Sequence, residues 1–83
     1  MTKTTHWKGW KNEQPRGLQR TVMRRNCGSR CFLGKGKAFP ICTKGTCKVN
    51  KKGVYAAYIR SRQYRKKHRR VSEKAAKMLR LMD

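Results

Sequence analysis

Apolar positions are sparse along this chain, and their spacing changes character from one region to the next. Residues 1–17 show no period: they are polar and basic, and Gly9, Pro15 and Gly17 interrupt any regular spacing. They read as a flexible basic arm. Trp7 and Trp10 lie three apart and would share a helical face, but Gly9 weakens a helix there. Leu18, Val22 and Met23 then predict a short helix that stops near Asn26 or Gly28. Both residue types accept the left-handed backbone common at a helix C-terminus.

Residues 27–47 follow a different rule. Gly28, Gly34, Gly36, Gly45 and Pro40 mark turns rather than long elements. Ala38, Phe39, Pro40, Ile41 and Cys42 read as extended, since the residue before a proline avoids the helical region. Cys47, Lys48 and Val49 make a second extended piece, with a turn at Lys44 and Gly45, so a short two-stranded hairpin is expected here.

Helical spacing returns at Asn50, a good N-cap, followed by an apolar stripe of Val54, Ala57, Tyr58 and Ile59. The predicted helix covers residues 50–67, docked by its first turns and cationic in its last. Tyr55, Tyr58 and Ile59 are expected in the core. Residues 71–82 form a further amphipathic helix, with Ser72 as N-cap and Val71, Ala75, Leu79 and Met82 along one side. The fold class is thus mainly α: one small domain over residues 18–83, holding a cysteine-clamped Gly-rich loop, a long basic helix and a short C-terminal helix.

Composition shows why a clamp is needed. Apolar residues make up 36% of the chain, too few for a thick core. The cysteines fall as Cys27-x3-Cys31 and Cys42-x4-Cys47, ten residues apart. Such pairs supply four thiolates to one tetrahedral zinc, or form two disulfides in one of three connectivities. Buried free thiols are the third reading. The spacing leaves all three open.

Charge supplies the functional signal. Against 24 Lys and Arg stand Glu13, Glu73 and Asp83, a net charge of +21. Such a surplus repels itself and disfavours the compact state unless a polyanion cancels it. Nucleic acid, with its closely spaced phosphates, is the partner expected, duplex DNA foremost. Residues 60–70 hold seven bases in eleven positions, with Tyr64 as the lone aromatic. The candidate phosphate contacts are Arg60, Arg62, Arg65, Lys66, Lys67, Arg69 and Arg70. Lys51 and Lys52 are added because backbone N–H groups at a helix start attract anions. Bases scattered from Lys3 to Arg80, without a helix-turn-helix or basic-zipper pattern, point to sequence-independent binding. Trp7 and Trp10 either stack on unpaired bases or cover the core. His6 and His68 read as solvated or phosphate-facing. Self-association is compatible with this reading. An RNA-binding role in a ribonucleoprotein and a basic cement role between proteins are the rivals.

Several classes are disfavoured. The three carboxylates are far apart, and no Ser/His/Asp or Cys/His spacing stands out, so neither an enzyme nor a small-molecule substrate is expected. No apolar run approaches the roughly 20 residues of a membrane span. The first residues lack a secretory apolar segment, so the expected location is inside a cell or a particle assembled in one.

Residues 27–67 resemble small basic, cysteine-containing proteins encoded by nucleocytoplasmic large DNA viruses. The resemblance rests on Cys31-Phe32-Leu33-Gly34, Phe39-Pro40-Ile41-Cys42, Thr46-Cys47-Lys48 and Gly53-Val54-Tyr55-Ala56-Ala57-Tyr58. Lys74-Ala75-Ala76-Lys77 in the last helix fits as well, whereas the arm before residue 20 does not. The resemblance implies a virion protein packaged with its genome. It also implies access to viral thiol-oxidising machinery, which puts disulfides level with zinc.

Overall fold

Two helices that each bury one face against the other make the centre of the molecule. The computed structural model describes residues 7–64 and 66–82. In chain order these form α1 (Trp10–Glu13), α2 (Leu18–Cys27), a 3-10 turn (Gly28–Cys31), α3 (Lys51–Gln63) and α4 (Arg69–Met82). About 60% of the described residues are helical, and there is no strand among them. This is the mainly helical domain that the apolar spacing predicts.

The main core lies between α3 and α4. Val54 and Ala57 of α3 pack with Ala75 and Leu79 of α4 and with Ile41 from the cysteine segment. Val54, Ile41 and Ala75 are fully buried, and burial of a Val or Ile side chain stabilises a fold by about 1.5–3 kcal/mol. Tyr55 and Tyr58 cover the edge of this cluster as expected, but Ile59 is exposed. Ser61 is completely buried and its hydroxyl donates to the Tyr58 carbonyl at 3.0 Å, so this polar group is satisfied within its own helix.

A second core surrounds two disulfides. Cys27–Cys47 encloses Cys31–Cys42, with Cα separations of 5.4 and 5.2 Å. Met23 and Phe32 pack on them. These bonds tie the end of α2 and the following turn to a segment with little apolar content. Of the readings the spacing left open, the structure shows the two disulfides and does not favour zinc: all four sulfurs are used in covalent pairs, and no group of three metal-ligating side chains gathers among the described residues.

Other expectations are met or corrected locally. α2 ends at Gly28, whose positive φ of 74° and backbone N–H to the Arg24 carbonyl close the helix. Leu18 and Val22 nevertheless face solvent, and only Met23 of that trio is buried. The expected hairpin reduces to one antiparallel bridge, Cys42 to Val49, closed by the Thr43 N–H on the Lys48 carbonyl at 3.1 Å. The stretch around Phe39 is not uniformly extended. Phe39 has φ 54°, a bend that sets its ring against the main core and edge-on to His68, with centroids 4.9 Å apart. Packing there outweighs a backbone strain of about 1–3 kcal/mol.

The arm assignment fails for residues 7–17. Trp10 is buried at 6% exposure, Pro15 is fully buried, and the carbonyl of Glu13 accepts the Lys44 N–H at 2.8 Å. Residues 1–6 of that assignment, His6 included, lie outside the described residues. The long basic helix is also shorter than residues 50–67: α3 ends at Gln63, and a turn leads into α4 at Arg69. Ser72 is therefore inside α4, with its hydroxyl donating to the Arg69 carbonyl at 2.9 Å. The first α4 backbone bond, from the Ser72 N–H, reaches the carbonyl of His68 at 3.1 Å.

Candidate nucleic-acid interface

The start of α3 is built around Asn50. Its side-chain oxygen accepts the Lys52 N–H at 2.9 Å, which satisfies one of the unpaired donors at a helix start. Its side-chain nitrogen donates to Glu13 Oε1 at 2.7 Å and to Thr43 Oγ1 at 2.9 Å. Lys52 Nζ reaches Glu13 Oε2 at 2.6 Å. The hydrogen bonds from the Lys52 ammonium and the Asn50 amide, helped by the Lys52 charge, hold the Glu13 carboxyl below its ordinary value of 4.5 against the opposing effect of burial. One of the chain's three carboxylates thus occupies the position proposed for a phosphate. Lys52 is consequently engaged by the protein itself.

The remaining predicted contacts are spread over several places. Lys66, Lys67, Arg69 and Arg70 are exposed in the turn between α3 and α4 and in the first turn of α4. The turn is closed by the Lys67 and His68 N–H groups on the Tyr64 carbonyl, at 3.0 and 2.9 Å. Lys66 and Arg69 line one hollow with Ser72 and Glu73, and Arg69 Nε meets Glu73 Oε2 at 3.3 Å. With both partners largely exposed, that ion pair adds at most about 1 kcal/mol. Arg62 lies over the Tyr58 ring at 5.4 Å and donates to its hydroxyl at 2.9 Å. Arg65 lies outside the described residues, and Lys51 is exposed on the first turn of α3.

Arg60 belongs to a different setting. It lines a groove of about 640 Å³ between the N-terminal segment, α3 and the Phe39 loop. Lys8, Lys11 and Arg20 line the same groove, and nothing in the charge pattern along the chain singles them out. Their convergence depends on docking of α1, for which the local sequence carries no signal beyond the two tryptophans. Those tryptophans divide the roles: Trp10 covers the core, whereas Trp7 is 43% exposed.

No Lys or Arg is buried among the described residues, and each helix carries at least one exposed base. None of the described helices is long and apolar enough to cross a membrane. No family model, curated protein or solved structure matches the chain.

Proposed function

We propose that this chain binds nucleic acid without regard to sequence and neutralises and condenses a genome, duplex DNA foremost, through Lys and Arg contacts to phosphate. The observation that carries this reading is the tip of the α3–α4 hairpin. There Lys66, Lys67, Arg69 and Arg70 are held at neighbouring positions, with Glu73 as the one carboxylate in either helix. Like charges at such spacing destabilise a helix end by a few tenths of a kcal/mol per pair, roughly, and phosphates remove that cost. The chain folds back on itself at this point, so these side chains protrude from a scaffold fixed by the α3–α4 core.

The spread of cations over the remaining surface supports coating and compaction rather than docking of one face in one groove. A genome packaged inside a viral particle, as the resemblance implies, is the setting that fits such a protein, and the disulfides agree with an oxidising assembly route. Binding to two unrelated duplexes of equal length tests the reading. The affinities should agree within a small factor and fall together by about 10³–10⁵-fold between roughly 50 and 200 mM salt. Marked preference for one sequence would overturn it.

A further inference from the structure

The groove bounded by the N-terminal segment and α3 is unlike the rest of the surface, because aromatic rings and cations converge there. Lys8, Lys11, Arg20 and Arg60 line it, and among the described residues no Asp or Glu does. Glu13 does not line the groove; its carboxylate is paired with Asn50 and Lys52 beside Gly9, 3.4 Å from where a Cβ on that residue would stand. Arg20 is held in place by the Pro15 carbonyl at 3.3 Å and the Lys37 carbonyl at 3.5 Å. The rings are Trp7, Phe39 and His68, together with part of Trp10. His68 and Phe39 meet edge to face, which fixes that wall.

Size and continuity add a second argument. A volume of about 640 Å³ falls within the range of small-molecule sites, roughly 300–1,000 Å³. A smaller hollow of about 270 Å³ adjoins it, and Trp7, Ala56 and Arg60 line both. Ile59 and Tyr64 line this second hollow, and Tyr64 is 58% exposed. Exposed aromatic rings flanked by cations, repeated along a track, are what a single strand requires: rings take the bases and cations the phosphates.

We propose that this groove takes an unpaired nucleobase stacked on Trp7, with its flanking phosphates on Lys8, Lys11, Arg20 and Arg60. The inference rests on the nucleic-acid reading above and adds to it a preference for single-stranded or locally opened segments. Duplex phosphates engage the hairpin tip, while the groove reads the presence of a free base and not its identity.

The test compares three fluorescein-labelled oligodeoxynucleotides with equal numbers of phosphates: oligo-dT, the same strand with abasic sites throughout, and a duplex. The expected result is that oligo-dT binds between about 5- and 160-fold more tightly than the abasic strand, the range for one stacked base, and quenches tryptophan fluorescence. Trp7→Ala should bring oligo-dT down to the abasic level and leave the abasic and duplex affinities unchanged. Trp7→Phe should retain most of the difference. Since Trp7 is half exposed, these variants keep the fold. Equal affinity for oligo-dT and abasic strand would overturn the base site while leaving phosphate binding intact. Failure to bind any of the three would overturn both readings.

Discussion

The Trp10 indole lies so close to Gly53 of α3 that a Cβ at that position would come within 2.6 Å of a ring carbon and 3.0 Å of the Ile41 Cα. Glycine inside a helix costs about 1 kcal/mol relative to alanine. Here the missing side chain is what allows the N-terminal segment to seat on α3. Gly53→Ala should therefore destabilise the protein, by about 1–3 kcal/mol as overpacking does, although it raises helix propensity. In a Trp10→Ala background the same substitution should cost less, because only the contact with the Ile41 Cα at 3.0 Å remains. Chemical denaturation of the two single variants and the double variant measures this coupling.

Glu13 makes stability depend on acid in a defined direction. Its folded pKa is lowered by the Lys52 and Asn50 hydrogen bonds. A group depressed in this way contributes stability above its unfolded value, and that contribution is lost as pH falls through the folded value. The melting temperature should therefore decline as pH drops below the ordinary carboxylate value of 4.5. In Glu13→Gln the decline should be shallower, with the neutral-pH stability already reduced. Thermal melts across the acid range, followed by circular dichroism, decide the point.

The nested disulfides should carry a large share of the fold's stability. The bonds close loops with sequence separations of 20 and 11 residues, and loop-closure entropy assigns about 3 kcal/mol to each. Reduction should lower the melting temperature sharply, because Met23 and Phe32 have few other apolar partners. Intact mass under denaturing, non-reducing conditions should show four hydrogens fewer than the reduced chain, with no metal retained.

Basic residues that look alike in sequence should behave differently. Replacing Lys66, Lys67 and Arg70 by Gln should lower the salt slope of duplex binding by roughly 0.9 for each phosphate that is no longer neutralised. Lys52→Gln should leave that slope nearly unchanged and reduce stability instead, because its ammonium is engaged by Glu13. Anisotropy titrations at several salt concentrations, paired with melts, separate the two effects.

What the sequence discloses here is mostly what local chemistry determines. The Gly28 stop of α2, the Asn50 cap of α3 and the apolar faces of α3 and α4 follow from residues within one or two turns of each other. Long-range contacts decide the rest. Residues 60–70 contain no Gly or Pro to end a helix. α3 stops at Gln63 so that Ala75 and Leu79 can fold back onto Val54 and Ala57. The docking of Trp10, the bend at Phe39 and the choice of Cys27–Cys47 with Cys31–Cys42 likewise depend on partners far away in the chain. The candidate interface divides in the same way. The hairpin-tip cations are legible as a charge run, but the groove is not, since Lys8, Lys11 and Arg20 meet Arg60 only after α1 has docked.

The central claim is that the net charge of +21 serves to cancel nucleic-acid phosphates. The most direct measurement is electrophoretic titration of duplex DNA with the oxidised protein in dilute buffer. The mobility should approach zero near one chain per 21 phosphates, with the free DNA returning as salt is raised. DNA that migrates unretarded in excess protein, or a complex that persists unchanged at high salt, would contradict the account.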